Sequence, residues 1–287
     1  MRQPVSTGPD PVSATELQRR PVSRQRSGLP PGLLLPAGLA LAFLLMPLVA
    51  LVLRAPWRSL PELLLTPEVG QALRLSLVCA TSATVLCLLL GVPLAWVLAR
   101  SEVPGKKVVR ALVTVPLVLP PVVGGVALLL LLGRRGLLGQ YLDTGLGITI
   151  PFTTGAVVIA EAFVAMPFLV ISVEGALRGA DRRYEDAAAT LGASRWLVLR
   201  RVTLPMIAPG VAAGAVLCFA RALGEFGATI TFAGSFPGTT QTMPIAVYAT
   251  LESGDTDGAI VLSLVLLVVS VVVLVSLRDR WLSGANT

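Results

Sequence analysis

Apolar stretches of twenty or more residues recur along the chain, at about 33–53, 76–99, 111–132, 152–173, 206–226 and 258–277. Helices of that length, rising 1.5 Å per residue, cross a hydrocarbon core of roughly 30 Å. A spanning segment must satisfy its backbone groups internally, so the pattern predicts an all-α, polytopic membrane protein with six transmembrane helices. Only the fourth and fifth stretches carry charge, Glu161 in one and Arg221 with Glu225 in the other. The first follows a basic segment, as a secretion signal would, but nothing charged occurs from Ser27 to Leu53 and no clean small-residue cleavage pattern follows. It reads as a retained helix.

Two places depart from smooth spans. The third stretch contains Pro116, Pro120, Pro121, Gly124 and Gly125, which remove backbone donors and side-chain bulk and predict a kink. Such a kink either lines a pathway or serves helix packing. The connection from about Gly227 to Asp257 is long and apolar, with Gly234, Pro237 and Gly238 ahead of the stretch Met243 to Leu251. It predicts a short helix at the outer membrane face.

Lysine and arginine set the orientation. The amino tail carries five, the loop Arg100 to Arg110 four, the segment Arg178 to Arg201 six and the carboxyl tail two. The other side has Arg54, Arg58, Arg74, Arg134 and Arg135. The positive-inside tendency therefore places both termini in the cytoplasm. Residues 1–30, rich in Pro, Ser, Gly and Arg, form a disordered basic cytoplasmic tail. Residues 31–280 form the membrane domain, with a cytoplasmic coupling loop at 181–205, and residues 281–287 form a cytoplasmic tail.

Composition narrows the function. With 54% hydrophobic and 14% charged residues and a mean hydropathy of +0.81, the solvent for most of the chain is lipid. Topology accounts for the net charge of +7, and no nucleic-acid partner is needed. Cys79, Cys87 and Cys218 lie in apolar runs and act as small hydrophobes. Without histidine, a histidine base and the common zinc and iron sites are absent, so no metal site is expected. A membrane enzyme would need clustered acid, base or nucleophile groups, and the spans offer few polar residues. A secondary transporter or channel would show inverted repeats, and no clear repeat is present.

The loop Asp181 to Pro205 reads DRRYEDAAATLGASRWLVLRRVTLP. Asp181 suits an N-cap, Glu185 and Asp186 suit the positive end of a helix, and Ala187 to Ala189 are strong helix formers. Gly192 supplies a left-handed stop, Ser194 can cap a second short helix, and Pro205 enters the fifth span. A short alanine-faced helix projecting from the membrane suits a groove on another protein, although composition alone also allows an ordinary interfacial helix.

The spacing here resembles the cytoplasmic loop signature of membrane subunits of ATP-binding-cassette importers. That signature has an acidic residue, two alanines, a glycine four positions beyond the second alanine, and then an aliphatic residue, any residue, Leu and Pro. This chain presents Asp186, Ala187, Ala188, Gly192, Val202, Leu204 and Pro205, with Asp for the usual Glu and Val for the usual Ile. The resemblance covers most of residues 60–277. Its most specific stretch, residues 221–255, looks like the molybdate and tungstate importers' membrane subunit, close to sulfate and thiosulfate relatives that share Gly224-Glu-Phe-Gly227. The run from Gly238 to Pro244 favours molybdate; a sulfate or thiosulfate importer is the alternative.

The resemblance implies a second copy of this chain, two cytoplasmic ATPase subunits docked on the loop that includes Glu185, and an extracytoplasmic oxyanion-binding protein. The chain lacks a phosphate-binding Gly-x-x-x-x-Gly-Lys-Ser/Thr loop, its only Gly-Lys pair being Gly105-Lys106. It binds no cofactor, then, and ATP with magnesium belongs to the partner subunit. Arg221 and Glu225, four apart, either pair with each other or place Arg221 at the mouth of the anion path while Glu225 sets the loop that closes it. Thr229 and Thr231, with Ser235, Thr239, Thr240 and Thr242, offer neutral hydroxyls to such a path. Glu161 is expected to pair across helices.

Overall fold

The structure is a computed structural model that describes residues 31–102 and 104–283. The expected tail of residues 1–30, and residues 284–287, lie outside the described residues. The elements are helical, with no strand among the described residues. They are α1 (Leu34–Leu53), α2 (Leu60–Leu64), α3 (Pro67–Arg100), α4 (Lys106–Val118), α5 (Pro121–Leu132), α6 (Gly139–Leu146) and α7 (Thr154–Gly179). Then follow α8 (Arg183–Thr190), α9 (Arg195–Val198), a π-helical turn (Leu199–Thr203), α10 (Leu204–Leu223), α11 (Gly227–Ala233), α12 (Met243–Glu252) and α13 (Thr256–Ser283). The chain divides into two units at Ala50/Leu51, and α1, apolar and exposed along its length up to Ala50, is a unit by itself.

Within the second unit α7 is the hub. Of its most apolar window 61% is buried inside the chain, against 44% for α3 and 22% for Arg195–Leu223. Small residues make this possible. Gly91 of α3 leaves room for Leu169, Val170 and Met166 of α7, and Gly214 of α10 meets Leu169 and Ser172. A methyl group on Gly210 would overlap Ala176, and Ser172 Oγ donates to Gly210 O at 3.0 Å. In lipid, where apolar area gives no drive to association between helices, such close approach supplies the dispersion and hydrogen bonding that hold spans together.

The helix pair α3 and α7 runs parallel: Cys79 clusters with Ala156, Val157 and Ala160, Cys87 Sγ reaches Ala162 O at 3.5 Å, and Leu98 shares a cluster with Leu177. The chain between them must therefore return across the bundle. It does so through α4 and α5, bent by 115°, which makes six crossings with α1, α3, α7, α9 to α10, and α13. The expected kink is thus a break. Leu119 and Pro120 are extended (ψ 132° and 131°), because a residue that precedes proline is pushed out of the helical region.

The two basic connections meet at one end. Lys106 donates to Ser101 O, Arg110 Nη2 lies 2.6 Å from Glu174 Oε1, and Arg178 Nη2 lies 2.7 Å from the same oxygen. At the starting ends of α3 and α7, Thr154 Oγ1 donates to Thr239 O and the Met243 N–H donates to Ser76 Oγ at 2.7 Å. Loops assigned to opposite sides by charge thus lie at opposite ends of the bundle.

Several boundaries differ from expectation. Helix α3 begins nine residues before residue 76, where Pro67 and Glu68 suit a first turn; Arg74 had hidden that start. Helix α13 runs to Ser283, past the end of the sixth apolar stretch at residue 277. Short helix α12 is present, but its first turn is inside, with Met243, Ile245 and Ala246 buried; it is not a surface helix along that turn. Helices α2, α6 and α11 were not anticipated. Within α6, the Asp143 carboxyl is held below its usual range, first by the Thr149 hydroxyl and then by Arg134.

Candidate functional site: the projecting loop and the charges within the bundle

The loop after α7 folds from its own sequence. Asp181 Oδ1 accepts from the Arg183 N–H at 3.0 Å, capping α8 from two residues before its first residue. At the other end Gly192 adopts φ +84°. Its N–H donates to Ala189 O, and the Ala193 N–H donates to Ala188 O, both at 3.0 Å. These paired bonds form the Schellman arrangement, which needs a left-handed residue at that point. Ser194 then caps α9 by accepting from the Leu197 N–H at 3.3 Å.

The outward face is broad and partly apolar. Tyr184, Leu191 and Trp196 are exposed by 64%, 89% and 69%, and Asp186, Ala187 and Ala189 are exposed while Ala188 is half-buried. A groove of about 570 Å³ opens between α8, α9 and Trp96, lined by Asp186, Ala189, Ala193 and Trp196. Val202 is half-buried in the π turn, and Leu204 and Pro205 are exposed at the start of α10. Glu185 differs from its neighbours. Its Oε1 accepts from Arg100 Nη2 at 2.9 Å and from Thr203 Oγ1 at 3.1 Å, so its carboxylate turns back onto the bundle. Arg100 escaped the sequence reading because it lies 85 positions before Glu185, and Thr203, although within the same loop, stands 18 positions after it.

Inside the bundle, Arg221 Nη2 lies 2.5 Å from Glu225 Oε2, a charge contact outside hydrogen-bonding alignment, since that oxygen has no hydrogen-bond partner. The other oxygen, Oε1, accepts from the Ala228 N–H at 2.8 Å and so caps α11. The self-pairing of Arg221 and Glu225 is therefore present, and Glu225 also sets the segment that follows it. Glu161, 1% exposed, makes no ion pair among the described residues, and its Oε2 has no partner. The expected cross-helix pair is absent among the described residues; Arg221, the cation of the fifth stretch, contacts Glu225 instead.

The two glycine and proline signals prove to be one contact. A methyl on Gly125 would stand 2.7 Å from Ala228 O and 2.8 Å from Thr231 Cβ, and one on Gly227 would stand 2.9 Å from Pro121 Cβ. The break in the third crossing and the Gly224 to Gly227 element thus pack directly together, which assigns the break a packing role. The hydroxyls largely serve local structure. Thr231 Oγ1 donates to Gly227 O, and Thr240 Oγ1 accepts from the Phe236 N–H. Thr229 and Thr242 are buried with no partner for their hydroxyls.

Membrane-length helices packed in the second unit on a glycine-lined hub, with a capped short helix at the basic end of that unit, describe a membrane permease subunit. Residues 91–284 match the family described as binding-protein-dependent transport system inner membrane component, and the chain belongs to it. Among the relatives, the molybdenum transport system permease protein ModB of Mycobacterium tuberculosis is 51% identical over 90% of this chain and 97% of its own length. The protein of the same name from Escherichia coli is 42% identical over 77% of this chain and 96% of its own. The Escherichia coli sulfate transport system permease protein CysT is 34% identical over 86% and 92%. A crystal structure of a bacterial ABC transporter that imports the acidic polysaccharide alginate shares the fold, with a TM-score of 0.72 at 18% identity over 87% of this chain and 93% of that one.

Proposed function

We propose that this chain is the membrane-spanning subunit of an ATP-driven importer of molybdate or tungstate. The observation that carries the substrate is the 51% identity, across nearly the full length of both chains, to a molybdenum permease. Within one organism, Escherichia coli, identity is higher to the molybdenum permease, 42%, than to the sulfate permease, 34%. That ordering favours molybdate over sulfate.

Two copies would pair in the cytoplasmic membrane, with both termini and the loop 181–205 in the cytoplasm, as the lysine and arginine distribution supports. A separate ATPase subunit, holding ATP and magnesium, would dock on α8 and its stop, at Asp186, Ala187, Ala188 and Gly192. There the small side chains allow close approach and Leu191 and Tyr184 supply apolar area. An external binding protein would deliver the oxyanion. Closure of the ATPase pair would move the two docking helices and switch the path between inward-open and outward-open states, a rigid-body transition between two packings. Arg221 is committed to Glu225, so its service to this reading is to hold the α10 to α11 corner rather than to attract the anion.

The test is the ATPase rate of the reconstituted complex in the presence of its binding protein, loaded in turn with molybdate and sulfate. Stimulation by the molybdate-loaded protein, and not by the sulfate-loaded one, is expected. The reverse would assign the chain to the sulfate branch.

A further inference from the structure

We propose that Glu185 is a positioning residue for transport, a latch that carries movement of the docking helix α8 into α3 and α10 and does not itself touch the ATPase. This rests on the docking reading above and specifies how that site acts on the bundle. One oxygen, Glu185 Oε1, holds both donors: Arg100, the last residue of α3, and Thr203, the last residue of the π turn that leads into α10. The Arg100 and Glu185 side chains are only 10% and 17% exposed, and Thr203 is fully buried. At such a site a charge-assisted hydrogen bond is roughly twice as strong as a neutral one.

The remaining contacts of α8 make this atom decisive. No residue of α8 is buried, and its neighbours are α9 and the π turn. With no side chain of α8 fully buried, the ion pair is its direct polar link to α3, and force between α8 and α3 can pass through it. The joint is also able to turn. Arg100 engages through Nη2 alone, while its buried Nε has no acceptor among the described residues. A single-point contact pivots where a two-pronged fork would lock. The π turn, a five-residue departure from α geometry at the foot of α10, is the kind of local adjustment that recurs at functional sites in helices.

The experiment uses the full complex in proteoliposomes, with Glu185→Gln, Arg100→Gln, Thr203→Val and the exchanged pair Glu185→Arg with Arg100→Glu. Retention of the ATPase through purification and molybdate imported per ATP hydrolysed are both measured. The latch predicts that the three single variants keep the ATPase while import per ATP falls, by about tenfold where the charge is lost. The exchanged pair should recover most of the ratio. An unchanged ratio in Glu185→Gln and Arg100→Gln would overturn the latch. Loss of the ATPase from Glu185→Gln but not from Arg100→Gln would overturn it too and return Glu185 to the ATPase interface. The docking reading fails separately, if Ala188→Trp retains the ATPase normally.

Discussion

The end of α8 offers a clean perturbation, because Gly192 has φ +84° yet nothing lies within 4 Å of where its side chain would be. Substitutions there change backbone energetics without a steric clash. Alanine in a left-handed conformation costs roughly 1–2 kcal/mol, whereas asparagine visits that region readily and costs a fraction of this. Proline cannot reach φ +84° and also removes the N–H that donates to Ala189 O. If the stop holds α8 in its docking geometry, affinity for the ATPase falls in the order Gly, Asn, Ala, Pro. The alanine variant should bind about 5- to 30-fold more weakly. The assay is titration of the purified ATPase subunit onto permease variants in nanodiscs, with membrane insertion measured beside it. Equal affinity for Gly192→Ala and wild type, or Asn weaker than Ala, would refute the reasoning.

Other perturbations test other links. Gly210→Ala should lower thermal stability by about 1–3 kcal/mol, because its methyl overlaps Ala176 across α7 and α10. Gly70→Ala, with open space around it, should be neutral or slightly stabilising in the same melt. Arg221→Gln leaves Glu225 buried without its cation and should destabilise by about 3 kcal/mol, with much of the loss recovered by adding Glu225→Gln. Any deficit in uptake of Arg221→Gln should be the same at low and high ionic strength; a larger deficit at low salt would place the arginine at the mouth of the path.

Much of this architecture is legible in sequence because lipid enforces it. An uncharged stretch of sufficient length has one stable way to satisfy its backbone, so six crossings follow from hydropathy. The helix, stop and second helix of the loop 181–205 were equally legible, since Asp181, Gly192 and Ser194 each act within three residues of themselves. What escaped is long-range. Nothing near Glu185 indicates that its partner is Arg100, eighty-five positions earlier, and nothing near Pro121 indicates that Gly227 is its neighbour. Glu161 misled for the same reason: a buried carboxylate calls for a partner, but which helices surround it is a matter of packing that no local pattern encodes. Helix α3 starts before Arg74 because one arginine near a span end extends to the headgroup level at small cost.

The most direct test is uptake of labelled molybdate into proteoliposomes that hold this permease, its co-expressed ATPase and its binding protein, with and without ATP and with excess sulfate as competitor. The account predicts uptake that requires ATP and is not suppressed by sulfate. Displacement by sulfate would contradict the substrate, and uptake without ATP would contradict the importer itself.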